Sequence, residues 1–224
     1  MPLAIAAAIL GGAVVWYALY AKVHVLRESA LIRLAGRLVK PDFEDYDLEA
    51  ELSRIARERD TIVEDRFDQI IGDCPVLDMP PGASREDLFR AVAGELAAAM
   101  PLPAETILRL LEARENVSST VVRPGLAVPH IVDAAAPSLR IVLARSREGI
   151  AFEEGEREVR AVFVLAAPPG ERNVYLKALV AVAEIAQEPD FDRKWLSAGS
   201  PEALREIILA AERRREHPWE GEEA

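Results

Sequence analysis

The chain opens on MPLAIAAAILGGAVVWYALYA, Met1 to Ala21, a run with no Asp, Glu, Lys or Arg. No water-exposed helix face tolerates such a stretch. At about 1.5 Å per residue a helix of this length nearly crosses a hydrocarbon core of about 30 Å, so the run reads as one transmembrane helix over residues 1–21. A signal peptide would carry positive charge before the apolar run and a small-residue cleavage site after it. Here the charge follows: Lys22, Arg27, Arg33, Arg37 and Lys40 come next, with only Glu28 opposing them. A basic flank stays on the inner side, so the chain is expected in the cell inner membrane, single-pass, with its C-terminal body cytoplasmic. Trp16, Tyr17 and Tyr20 lie near the inner end, where amphipathic rings prefer the headgroup level. Gly11 and Gly12 permit close approach of another helix, although they lack the GxxxG spacing.

Residues 22–72 read as a juxtamembrane helical connector. Val23, Leu26, Ala30, Leu34 and Leu38 recur at three or four residues, with the basic side chains largely elsewhere around the helix. Such a helix either lies on membrane lipid, drawn by anionic headgroups, or packs on protein; the pattern leaves both open. Pro41 ends it, and a second helix of mixed charge follows, roughly from Leu48 to Asp60.

The body from residue 73 to 214 reads as α/β. CPVLDMP has the short apolar run of a buried strand, and Ser84 is placed to cap the amphipathic helix after it. Pro103 heads a second helix, through RENV. LRIVLARS and REVRAVFVLAAP are β-rich, with GIAFEEG as a turn region between them. Helices follow in RNVYLKALVAVAEIAQ, DFDRKWLSA and SPEALREIILAAERRR, the last capped by Ser200 and basic at its C-terminal end. Helices before and after a cluster of strands fit a mixed β-sheet flanked by helices. EHPWEGEEA supplies most of an acidic tail, residues 215–224.

Charge narrows the function. With 27 basic against 38 acidic residues, net −11, the chain lacks the concentrated basic surface that nucleic acid requires. Its single cysteine, Cys74, excludes an intramolecular disulfide and a cysteine-rich zinc site, and reads as a small buried apolar residue. No metal site or cofactor is indicated, and no P-loop or GxGxxG pattern supports a nucleotide. Three histidines are present: His24 beside the apolar run, His217 in the tail, and His130 at the end of SSTVVRPGLAVPH inside the body. A neutral imidazole is a nucleophile at physiological pH, whereas a lone histidine after a strand is also an ordinary structural residue.

The order of elements and the stretch LEARENVSSTVVRPGLAVPHIVDAAA, followed by IVLARSREGIAFE and VRAVFVLAAPPGERNVYLKALVAVAEIAQEPDF, resemble the mannitol/fructose-type EIIA domain of the bacterial phosphotransferase system over about residues 73–214. That family runs Arg-Glu, Ser-Thr, a glycine-rich loop, then Ala-[Ile/Val]-Pro-His, and its terminal histidine accepts a phosphoryl group. The resemblance implies an EIIA-type sandwich. It also implies His130 as acceptor and Arg114 as the cation facing the phosphoryl oxygens. Ser119, Thr120, Arg123, Gly125 and Tyr175 are the accompanying ligand-binding candidates. The family's loop glycines are replaced here by Val121 and Arg123, with Pro124 before the one retained Gly125, and Tyr175 stands where a second histidine often occurs. The segment GGAVVWYALYAKVHVLRESALIRLAGR and the acidic helix after it resemble the last transmembrane helix and connector of amino acid permeases of the amino acid–polyamine–organocation superfamily that carry an EIIA-like C-terminal domain.

Together these imply a membrane-tethered regulatory domain of a transporter, of amino acids, sensing through the His130 pocket, with a multi-span membrane transporter as partner. A single helix builds no transport pathway by itself. The alternative is an active EIIA phosphocarrier in sugar uptake, a phosphotransferase with phosphohistidine at His130 and a histidine phosphocarrier protein as its donor.

Overall fold

A computed structural model of the protein describes residues 64–152 and 158–215. The uncharged run, the helices expected within residues 22–60 and the tail after Arg215 lie outside them. Among the described residues no helix is long and apolar enough to cross a membrane.

The β-branched runs become the centre of the sheet. β1 (Val76–Met79) pairs parallel with β5 (Arg140–Ile150), which pairs antiparallel with β6 (Val159–Ala167). β2 (Val121–Arg123), β3 (Leu126–Ala127) and β4 (His130–Val132) complete a mixed sheet of order β1-β5-β6-β3-β2, with β4 also on β6. β6 is buried at every residue except Arg160, which requires cover on both faces. On one face α2 (Arg85–Ala99) and α3 (Ala104–Val117) pack Leu88, Val92, Leu96, Ile107 and Leu111 against Val142, Ala144, Val162 and Val164. On the other, α5 (Phe191–Ser197) stacks Phe191 and Trp195 on Phe163, between α4 (Arg172–Ala186) and α6 (Pro201–Leu209).

The expected caps form. Ser84 accepts from the Asp87 N–H at 3.1 Å, and Ser200 from the Ala203 N–H at 3.2 Å. β5 runs on to Ile150 through a register shift and takes in the first two residues of the expected turn region GIAFEEG; Ala151 and Phe152 lie beyond the strand, and the rest of the region is outside the described residues. At the C-terminus α6 stops at Leu209 instead of running through the arginines. The reason is electrostatic: Arg213 turns back to grip Asp65 with two bonds of 2.7 Å and Asp68 at 2.8 Å, and Arg215 reaches Asp68 at 2.9 Å. Those carboxylates belong to the capping box of α1 (Arg66–Gly72), a helix within the connector's span that the sequence did not predict.

The feature that places the site is the line formed by β3 and β4. Leu126 pairs with Ala161 and His130 with Leu165, so the two short strands lie along the same side of β6, parallel to it. Val128 and Pro129 interrupt them. Proline has no N–H to give a ladder, but its carbonyl still accepts from the Leu165 N–H at 3.0 Å, so the chain stays on β6 as it delivers His130.

Candidate functional site

Three elements converge on His130. β4 carries the imidazole, α3 brings Arg114 from its last turn, and α4 brings Tyr175 from its first. The Arg114 Nε–H donates to His130 Nε2 at 3.0 Å, so Nε2 bears the lone pair and the proton resides on Nδ1, which donates to the Val128 carbonyl at 3.1 Å. The backbone therefore selects the tautomer, and Nε2, which carries the lone pair, is the nucleophilic nitrogen. Burial, helped by the Arg114 charge and opposed by the Val128 carbonyl, holds the His130 pKa below its ordinary value of 6.5. The ring is thus neutral at physiological pH. Tyr175 packs against it with ring centroids 5.8 Å apart, and burial raises the phenol's pKa against the pull of Arg114, so its hydroxyl keeps its proton.

Arg114 is itself aimed by its neighbours. Its terminal NH1 donates to the Ser118 carbonyl at 3.0 Å and the Ser118 hydroxyl at 3.2 Å, orienting the guanidinium across the end of α3. The next residue, Glu115, is buried and accepts from both the Thr120 N–H, at 3.0 Å, and the Thr120 hydroxyl. This closes the chain tightly from α3 into β2, which sets where Arg114 ends relative to β4.

The remaining candidates are placed differently. Thr120 is buried with its hydroxyl on Glu115, not on the imidazole. Ser119 accepts from the Val121 N–H at 3.4 Å, within the same turn. Arg123 reaches across to Asp192, at 2.7 and 3.0 Å, and lies over the Phe191 ring. Its hairpin pairs with the start of β6, four residues or about 13 Å along the strand from His130's partner Leu165. Gly125 makes that hairpin's turn at φ +86°, a conformation that favours glycine, and its carbonyl accepts from the Arg160 and Ala161 N–H groups at 2.9 Å each. The structure therefore gathers His130, Arg114 and Tyr175 and leaves Arg123 and Gly125 to the hairpin.

Sequence reasoning gave no role to Glu115, Ser118 or the Val128 carbonyl. Glu115 stands inside the Arg-Glu, Ser-Thr pattern, and an acid three residues inside a helix end, followed by a threonine, was the available signal. A backbone carbonyl leaves none. Around the site, exposed apolar side chains accumulate: Val132 two residues along β4, Val117 three past Arg114, Leu176 beside Tyr175 and Val180 one turn further.

The site is thus a histidine on a mixed sheet between helical layers, with its Nε2 accepting from an arginine and a tyrosine ring beside it. Residues 76–211, more than half of the chain, match the family of the phosphoenolpyruvate-dependent sugar phosphotransferase system, EIIA 2, and the chain belongs to that family. It is 31% identical over 96 residues to the fructose-specific EIIABC component of Bacillus subtilis, covering 42% of this chain but 15% of that protein. Over 146 residues it is 27% identical to the nitrogen regulatory protein of Pseudomonas aeruginosa, covering 64% of this chain and 95% of that protein. Among solved structures, the nitrogen regulatory protein IIA-Ntr of Neisseria meningitidis superposes with a TM-score of 0.58 at 25% identity, over 64% of this chain and 99% of that one. The mannitol IIA domain of Escherichia coli, at 19% identity and a TM-score of 0.50, shares the fold. These likenesses concern the C-terminal domain; the permease likeness of the N-terminal segment gains no support from them.

Proposed function

We propose that the domain receives a phosphoryl group on His130 Nε2 and uses it as a regulatory signal rather than as a relay to sugar. The observation that carries this is the geometry at Nε2: it is unprotonated and, among the described residues, is bonded by Arg114, while the loop that would supply further donors is folded into the β2–β3 hairpin. In the transfer, the Nε2 lone pair attacks phosphorus of a phosphohistidine on a carrier protein. The new N–P bond forms as the donor's N–P bond breaks, and the donor imidazole departs with that bond's electron pair. Nδ1 keeps its proton, and the Val128 carbonyl stabilises the positive charge that develops on the ring. Arg114 turns from the lone pair to the phosphoryl oxygens, with the Tyr175 hydroxyl as a further donor. A protein donor fits the apolar rim of valines and Leu176.

The relatives support both uses, since their names are divided between nitrogen regulation and sugar transport. The uncharged run and its basic flank support a single-span tether in the inner membrane with the domain cytoplasmic, and a tethered sensor suits a multi-span transporter as its partner. Incubation with phosphorylated histidine carrier should give an acid-labile adduct that His130→Ala abolishes. No adduct under conditions that label an EIIA domain of a sugar system would overturn the acceptor step. Recovery from native membranes with a multi-span transporter is expected; recovery without one would count against that partner.

A further inference from the structure

Arg66 opens the helix through which the chain enters the domain, and its side chain reaches α4. It pairs with Glu171 Oε1, while Glu171 Oε2 accepts from the Leu139 N–H at 2.7 Å. Glu171 immediately precedes α4 and stands four residues, about one turn, before the Tyr175 ring that packs on His130. Burial works against its charge, but the Leu139 N–H and Arg66 outweigh it and hold the carboxyl below its ordinary range. The other end of α4 grips the same helix indirectly. Glu184 accepts from the Arg214 N–H at 3.1 Å and Glu188 from the Glu212 N–H at 2.6 Å, fixing the strap whose Arg213 and Arg215 clamp Asp65 and Asp68. The entry helix is thus tied to both ends of the helix that touches His130.

We propose that negative charge placed on His130 loosens the Arg66–Glu171 pair and so weakens the hold of the α4 start on the first turn of α1, by which the state of the site passes to the chain N-terminal of the domain. This rests on reading His130 as the acceptor of an anion. The two states differ in a definite contact. With a neutral imidazole, Glu171 is the anion at the start of α4 and Arg66 neutralises it. With a phosphoryl dianion beyond the next turn, the carboxylate is repelled and Arg66 is drawn toward the new charge. The pair is partly in water, with side-chain exposures of 51% and 24%, and so can exchange partners. The Arg213 clamp, at 1%, holds the capping residues Asp65 and Asp68, so α1 stays docked while its Arg66 tie to Glu171 changes.

Hydrogen exchange on the full-length chain in detergent tests this at the Asp68, Gln69 and Ile70 amides. His130→Glu supplies a fixed carboxylate and should speed their exchange several-fold, whereas His130→Gln should not. In a Glu171→Gln background the increment should vanish. Unchanged exchange in His130→Glu with β6 protection intact overturns the coupling, as does an equal increment in Glu171→Gln. Should His130→Glu lose β6 protection, the His130 ring is titrated by NMR in Arg66→Gln. Its midpoint should rise, because Glu171 is no longer neutralised, and an unchanged midpoint overturns the proposal. The substitutions need no phosphoryl donor, so failure to form an adduct would fall on the acceptor step alone.

Discussion

Which nitrogen of His130 reacts is decided by two atoms, the Val128 carbonyl and the Arg114 Nε–H. Lysine in place of Arg114 keeps the charge but cannot hold Ser118 and face Nε2 with one planar fork. Arg114→Lys should therefore lower the rate of phosphoryl transfer about 10²-fold, as loss of an aimed donor does elsewhere, with little change in unfolding midpoint. The lowered pKa of the same imidazole has a second consequence. Its unfolded midpoint is near 6.5 and its folded one lower, so between them the unfolded chain binds more protons. The contribution to stability is complete above pH 6.5 and is lost as pH falls through the folded midpoint. Thermal unfolding followed from pH 7 to pH 5 should show a shallower decline in His130→Gln than in the parent chain. That His130, Arg114 and Tyr175 lie together was legible in sequence because the family pattern aligns them. Arg123 was not, since the carboxylate that claims it, Asp192, lies 69 residues away and no local pattern announces it.

At the level of elements, length separates what could be read from what could not. β1, β5 and β6 were visible as β-branched runs, and the helices from their apolar stripes and caps. β2, β3 and β4 contain three, two and three residues. Too short for any periodicity, they exist as strands because β6 and one another offer ladders. α1 escaped for a different reason: its stability comes from packing Phe67 and Ile71 and from arginines far along the chain, which no local pattern announces. The joint between α3 and β2 is held by the buried Glu115–Thr120 contact. Thr120→Val removes one donor from a buried carboxylate, and should cost about 1–3 kcal/mol in chemical denaturation. Because the joint also aims Arg114, adduct formation should fall in this variant even where the domain remains folded.

At the scale of the whole described domain, the decisive connection is between its first and last described segments. The domain is closed by the strap Glu212–Arg215, whose Arg213 lies over the Phe67 ring with its guanidinium 4.7 Å from the centroid and between two acids. Burial alone would lower the arginine's pKa, but bonds to Asp65 and Asp68 raise it further, so the group is permanently charged. A buried ion cluster of this kind adds little net stability over an apolar replacement, yet losing one partner leaves the others uncompensated. Arg213→Ala takes the guanidinium from two carboxylates whose side chains are 8% and 3% exposed, leaving Asp68 to Arg215, and should cost about 3 kcal/mol. Arg213→Met combined with Asp65→Asn and Asp68→Asn removes both carboxylate charges along with the cation, and should recover most of that loss. Urea unfolding of the four chains, parent, single, double carboxamide and triple, separates the contribution of charge from that of packing on Phe67. A triple variant no more stable than Arg213→Ala would mean that the guanidinium acts through its contact with the ring rather than through the acids.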